Sequence, residues 1–237
     1  MAPGDTIALG LMWYFVFMFS TTCHEAAHAF VAKKGGDLTA FQGGQLTLNP
    51  LPHLKREPIG MILIPIASYF AGGWMMGWAS APYDPDWSRK YPHRAAKMAF
   101  AGPVANFILA GIAALLIHGG LLFGFFAPPD SAGFTHIVEP AAPGLAEAVA
   151  QLLGLLFAQN VLLGCFNLLP LPPLDGFSVM GLFVSEDRAR GLQEMGYSMQ
   201  RFTFMGMLLG WRLFDGLYNP MFNLMLKLLY PMEHDVS

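Results

Sequence analysis

From Met98 to Ala127 the chain carries no Asp, Glu, Lys or Arg. A helix crosses the hydrocarbon core of a bilayer with about 20 mainly apolar residues, and in lipid the backbone must satisfy its own hydrogen bonds. A run of this length therefore reads as a spanning helix. Composition supports the reading. Of 237 residues, 54% are hydrophobic and 12% charged, where a soluble domain has about 25% charged. In water such a surface would expose large apolar patches; in lipid it would not.

Three further apolar segments follow the same logic: about Thr6 to Ala32, about Pro58 to Ala79, and about Ala148 to Leu169, the last again uncharged. Phe202 to Tyr230 is also apolar but is interrupted by Arg212, Asp215 and Pro220. No positive n-region precedes the first segment, which reads as a retained helix. No internal repeat or linker divides the chain, so it reads as one membrane-embedded domain over residues 1–237, with a core of about 6–185 and a C-terminal apolar region at 202–230. Between the first two segments, Gly43-Gly44 followed by the alternating Gln45-Leu46-Thr47-Leu48 reads as a short strand or hairpin within residues 37–54. The expected fold is an all-α polytopic membrane protein with one small membrane-associated β-hairpin.

The basic residues give the orientation. Lys33, Lys34, Lys55 and Arg56 precede the second segment, Arg89, Lys90, Arg94 and Lys97 follow it, and Arg188, Arg190 and Arg201 follow the fourth. Residues 128–143 contain neither Lys nor Arg. The positive-inside rule places the basic loops in the cytoplasm and the 128–143 loop outside. Both flanks of the second segment are then cytoplasmic. That favours a re-entrant hairpin, bent near Pro65 or Gly72-Gly73, over a full crossing. Trp74, Trp78 and Trp87 suit interfacial anchoring. A net charge of -3 and the lack of a basic face argue against a nucleic-acid partner. Cys23 and Cys165 lie inside apolar runs and read as small buried hydrophobes.

The polar end of the first segment carries His24-Glu25-Ala26-Ala27-His28. On a helix, residues four apart share a face, so both imidazoles reach one ion, and the intervening Glu can act on metal-activated water. Ionisable groups inside a membrane segment are costly and mark function. A catalytic zinc takes three protein ligands and keeps one position open. Asp175, in the turn after the fourth segment, matches the two histidines in depth. His118, His136, Glu139 and Glu147 sit toward the other side. Asp215 remains a candidate third ligand, and Asp175 also suits a helix N-cap or turn before Gly176. Asn106 and Asn167 stand in apolar runs, where an amide needs partners. They read either as interhelical hydrogen-bonding groups or as support for substrate backbone or the oxyanion.

In order, His24-Glu25-x-x-His28, Gly102-Pro103-x-x-Asn106, and Asn167 followed by a proline-rich run into Leu174-Asp175-Gly176 resemble the site-2 protease family of membrane metalloproteases. Asn49-Pro50-Leu51, Gly60 and Pro65 add a likeness to its short members, and residues 127–147 are too few for the PDZ domain that many relatives carry. The resemblance implies one zinc ion held by His24, His28 and Asp175, with Glu25 as general base and Asn106 and Asn167 near the site. It implies an intramembrane endopeptidase acting on transmembrane protein substrates in the lipid bilayer. The expected setting is a bacterial cell membrane, with the active site near the cytoplasmic side. The 37–54 hairpin is expected to hold substrate as an added strand. A structural zinc protein without activity would not need Glu25, and a transporter would show internal repeats.

Overall fold

The computed structural model describes the backbone of residues 3–230; the side chains of residues 3–5, 200, 203, 204, 211 and 215 lie outside the described residues. Helix α1 spans Pro3–Gly35, followed by the short α2 (Thr39–Gln42) and α3 (Leu51–Arg56). A π-helical turn, Ile59–Leu63, runs into α4 (Ile64–Gly72). Then come α5 (Pro85–Lys90), the long α6 (Pro92–Leu122), strands β1 (Phe126–Ala127) and β2 (Glu139–Pro140), and α7 (Leu145–Asn167). Helices α8 (Asp175–Val179), α9 (Glu186–Ser198) and α10 (Thr203–Leu229) complete the order.

Among the described residues, three helices, α1, α6 and α7, are long and apolar enough to cross a membrane. They occupy the first, third and fourth apolar segments. Their outer faces keep Leu11, Phe15, Ile108, Ile112 and Leu115 exposed, the arrangement that suits hydrocarbon as solvent. Inner faces pack closely. Ala110, Ala113 and Ile117 of α6 meet Ala150, Phe157, Ala158 and Val161 of α7. Trp13, Val16 and Phe17 of α1 meet Leu155 of α7. The C-terminal apolar region is one helix, α10, whose Phe214, Phe222 and Leu226 join the α6–α7 core.

The second segment is a hairpin. Its helical arm, Ile59–Gly72, is about 21 Å long at 1.5 Å per residue, short of the roughly 30 Å hydrocarbon core. Gly73, at φ +75°, terminates it in the left-handed region that glycine tolerates. The chain then returns extended beside the arm. Trp78 N donates to Gly60 O at 3.1 Å, and Ser68 Oγ accepts from Met76 N at 3.0 Å. A Cβ on Gly77 would sit 2.3 Å from Gly60 O, so the two arms cross where neither has a side chain.

Two local expectations are corrected. Residues 37–54 contain no strand; they form α2, a turn with Gly44 at φ +73°, and α3. Period-two alternation over four residues did not outweigh the Gly43-Gly44 turn or the local hydrogen bonding of Asp37 to Thr39. The small antiparallel pair lies instead at β1–β2, with Phe126 opposite Pro140. Trp78 and Trp87 face inward. Trp78 lines the central cavity, and Trp87, 7% exposed, donates its Nε1–H to Gly35 O at 3.0 Å.

Candidate metal centre

The sequence from Phe15 to Phe30 has no glycine or proline, and α1 is unbroken there. His24 and His28 therefore project from one face a turn apart, and both are buried. That face packs on α6. His24 Nδ1 lies 2.6 Å from Asn106 Oδ1 and His28 Nδ1 lies 2.7 Å from Met98 O. The pairing runs 24 to 106 and 28 to 98, so α1 and α6 are antiparallel. Pro103 lies inside α6 and lacks an N–H, so the carbonyl of Ala99, four residues back, loses its helical donor.

The tautomers follow from the partners. Met98 O can only accept, so His28 Nδ1 carries its proton. For His24 the logic runs through a relay. Asn160 Nδ2 donates to Leu156 O at 2.8 Å and to Ser20 Oγ at 2.9 Å. Its Oδ1 therefore turns to Asn106 and accepts from Asn106 Nδ2 at 2.8 Å. That leaves Asn106 Oδ1 facing His24, and His24 Nδ1 must donate. Both histidines thus present unprotonated Nε2 atoms to the interior.

Those two Nε2 atoms are 3.0 Å apart. Asp175 Oδ2 lies 3.1 Å from one and 3.3 Å from the other, and it is a buried oxygen without a hydrogen-bond donor. Three such acceptors in mutual contact form a site that a shared cation would suit. Ligands about 2.0–2.1 Å from a tetrahedral zinc stand about 3.3–3.4 Å from one another, close to the separations found. The donor set of two imidazoles and a carboxylate suits zinc. Glu25 is buried beside them, and a donor atom from each of His24, Glu25 and His28 falls within 4.8 Å of the other two. Gly102 supplies the remaining clearance: a Cβ there would lie 2.4 Å from both Nε2 atoms.

Asp175 arrives by a compact turn. The chain leaves α7 through Leu168 to Leu174, and Gly176 fits only as glycine, because a Cβ would meet Leu168 O at 2.2 Å. The N-cap of α8 is Leu174 and no side chain caps it. The alternative of Asp175 as a helix cap is therefore set aside.

The centre opens onto a cavity of about 620 Å³. Thr21, Glu25, Glu57, the return arm Gly77–Ala81, Tyr83, Leu163 and Asn167 line it. Burial and a hydrogen bond to Tyr197 push the Tyr83 phenol well above its ordinary range, so that side chain stays neutral. Asn167 donates to Leu163 O at 3.0 Å and still faces the cavity. Asn106 does not reach it; fully buried, it spends both ends of its amide on His24 and Asn160. His118 bonds its own helix at Ala114 O, and His136 pairs with Glu139. The side chain of Asp215 lies outside the described residues. Sequence reasoning missed Asn160, whose partners lie 54 and 140 residues away, and the steric role of Gly102.

A bundle of apolar helices closed around two histidines and an aspartate defines a membrane metalloprotease, and the comparisons agree. The profile of peptidase family M50 matches residues 12–210. The chain is 37% identical over 175 residues to "Putative zinc metalloprotease YwhC" of Bacillus subtilis, covering 73% of this chain and 69% of that protein. It is 28% identical over 176 residues to "Putative zinc metalloprotease Rip2" of Mycolicibacterium smegmatis, covering 74% of this chain and 58% of that protein. No solved structure matches. The chain belongs to peptidase family M50, the site-2 protease family.

Proposed function

We propose that this chain is a zinc-dependent intramembrane endopeptidase that hydrolyses a peptide bond in a transmembrane segment of a membrane-protein substrate. The observation that supports it most is the contact of His24 Nε2, His28 Nε2 and Asp175 Oδ2 at 3.0–3.3 Å, inside apolar helices and at the edge of a cavity. In this reading His24, His28 and Asp175 hold one zinc ion per chain, and residues 1–237 act as one membrane-embedded domain. Bound there, zinc supplies Lewis acidity and lowers the pKa of water toward about 7.

Glu25 takes a proton from the attacking water and passes it to the leaving amine as the C–N bond breaks. Asn106 acts at one remove: it fixes the His24 tautomer and ring orientation. Asn167, at the cavity wall, is the amide assigned to substrate backbone. A helical peptide bond is shielded by its own hydrogen bonds, so the substrate must unwind. The return arm offers it a partner. Among the described residues, the backbone groups of Ala79 and Ala81 have no hydrogen-bond partner, and both residues line the cavity. An extended substrate can pair with that edge, the role that residues 37–54 cannot fill. The charge rule places this end of the bundle at the cytoplasmic face.

The test compares purified wild type with Glu25→Gln, His24→Ala and Asp175→Ala for metal content and for cleavage of a designed single-span substrate. Glu25→Gln keeps the metal and loses about 10²- to 10⁴-fold in turnover, the range of general base catalysis. His24→Ala and Asp175→Ala lose both. Undiminished cleavage by Glu25→Gln removes Glu25 from the mechanism, and full zinc retention by Asp175→Ala removes that ligand.

A further inference from the structure

Within the cavity lining, three side chains are acidic: Glu25, Asp175 and Glu57. The first two belong to the metal centre. Glu57 does not, and the lining contains no Lys or Arg. It follows α3 directly, half-buried, and one of its oxygens is held in place: Ser80 Oγ, on the return arm, donates to Glu57 Oε1 at 2.5 Å. Ser80 is itself anchored, its carbonyl accepting from the buried Gln45 at 3.3 Å and its hydroxyl from Arg56 Nε at 3.3 Å. Arg56 thus engages the serine and not the carboxylate. Among the described residues no Lys, Arg or His pairs with Glu57, and its second oxygen has no partner.

A carboxylate fixed on the wall of a substrate cavity, oriented on one side and unneutralised, is a seat for a cation. The surroundings of the cavity sharpen this. Lys33, Lys34, Lys55, Arg56, Arg89, Lys90 and Arg94 cluster at this end of the bundle. By the charge rule such an end is cytoplasmic, and a substrate helix obeying the same rule brings its own Lys or Arg to this depth. The chain's cations would repel that flank. Glu57 supplies the negative site where one of those charges can be seated.

Resting on the proteolytic reading above, we propose that Glu57 is a specificity-determining residue that selects substrates with a Lys or Arg beside the transmembrane segment, adjacent to the bond that is cut. The contact is half-exposed, so its contribution is moderate and weakens as salt rises.

The experiment uses three designed single-span substrates, identical except that the flank on the active-site side carries Lys, Gln or Glu. Wild type is expected to rank them Lys, then Gln, then Glu in kcat/KM, with about three- to tenfold between Lys and Gln. In Glu57→Gln, whose amide oxygen can still accept from Ser80, the Lys-to-Gln ratio falls to about one. In Glu57→Lys the order reverses, with zinc content as the check on folding. The same three substrates are also titrated against Glu25→Gln protein with and without Glu57→Gln, which reads binding without turnover. An unchanged Lys preference in Glu57→Gln overturns the proposal, in cleavage or in binding. Cleavage without any charge preference overturns it too while leaving the protease intact. A Glu57-dependent binding preference with no cleavage by wild type upholds Glu57 and sinks the proteolytic reading.

Discussion

His24 offers Nε2 to a metal only while its Nδ1 holds the proton, and that depends on Asn106 Oδ1 at 2.6 Å. Removing the acceptor frees the ring to turn and to change tautomer. Asn106→Ala is therefore expected to weaken zinc affinity by about 10- to 100-fold, as loss of an outer-shell partner does elsewhere. It also strands Asn160 Oδ1 in the core, at a stability cost of about 1–3 kcal/mol. Zinc titration with a chromogenic competitor separates the two effects, and unchanged affinity would assign Asn106 to packing alone. The Asn167 amide hydrogen-bonds Leu163 O, while His24 and His28 bond Asn106 and Met98, so Asn167→Ala should raise KM while metal affinity stays. The pair of histidines and the glutamate were legible in the sequence because helical periodicity alone sets their geometry. The relay behind them was not. Ser20, Asn106 and Asn160 come from three helices, and nothing local in any one segment marks their meeting.

At the scale of elements, the hairpin at 58–83 is held by the absence of side chains. Gly77→Ala would place a Cβ 2.5 Å from the Phe17 ring and 2.3 Å from the Gly60 carbonyl. The backbone cannot yield as a flexible side chain can, so the return arm is expected to lift off the helical arm, at about 1–3 kcal/mol. Cleavage should fall while zinc content stays, and limited proteolysis should gain a cut between Gly73 and Asp84. A variant that stays resistant and active would show that the arm does not need its present seat. A hairpin here was favoured by the sequence because basic residues flank both ends of the segment, although its apolar length, about Pro58 to Ala79, would also have allowed a crossing. Its internal form was not legible: a π-helical turn and an extended return depend on contacts with α1 that periodicity does not encode. The strand expected at 37–54 failed for the complementary reason. Four alternating residues without a long-range partner cannot outweigh a diglycine turn.

For the whole molecule, orientation is the testable claim. In a background of Cys23→Ser and Cys165→Ser, single cysteines at the exposed positions Ser131 and Asp86 should differ in intact bacterial cells. A membrane-impermeant maleimide should label Ser131→Cys and leave Asp86→Cys unlabelled until the cells are opened. The reverse pattern would invert the topology. The class of fold was legible from apolar run lengths alone, whereas the packing of α10 against α7 was not, because a helix interrupted by Arg212, Asp215 and Pro220 is ambiguous between core and interface. One feature of the return arm reaches across the whole particle. The amides at Ala79 and Ala81 find no protein partner among the described residues, and in hydrocarbon each bare peptide group would cost several kcal/mol. Wherever that edge lies within the bilayer, it needs water or a paired strand to satisfy it. Solvent admitted there by irregular backbone is the same solvent that serves as co-substrate of hydrolysis.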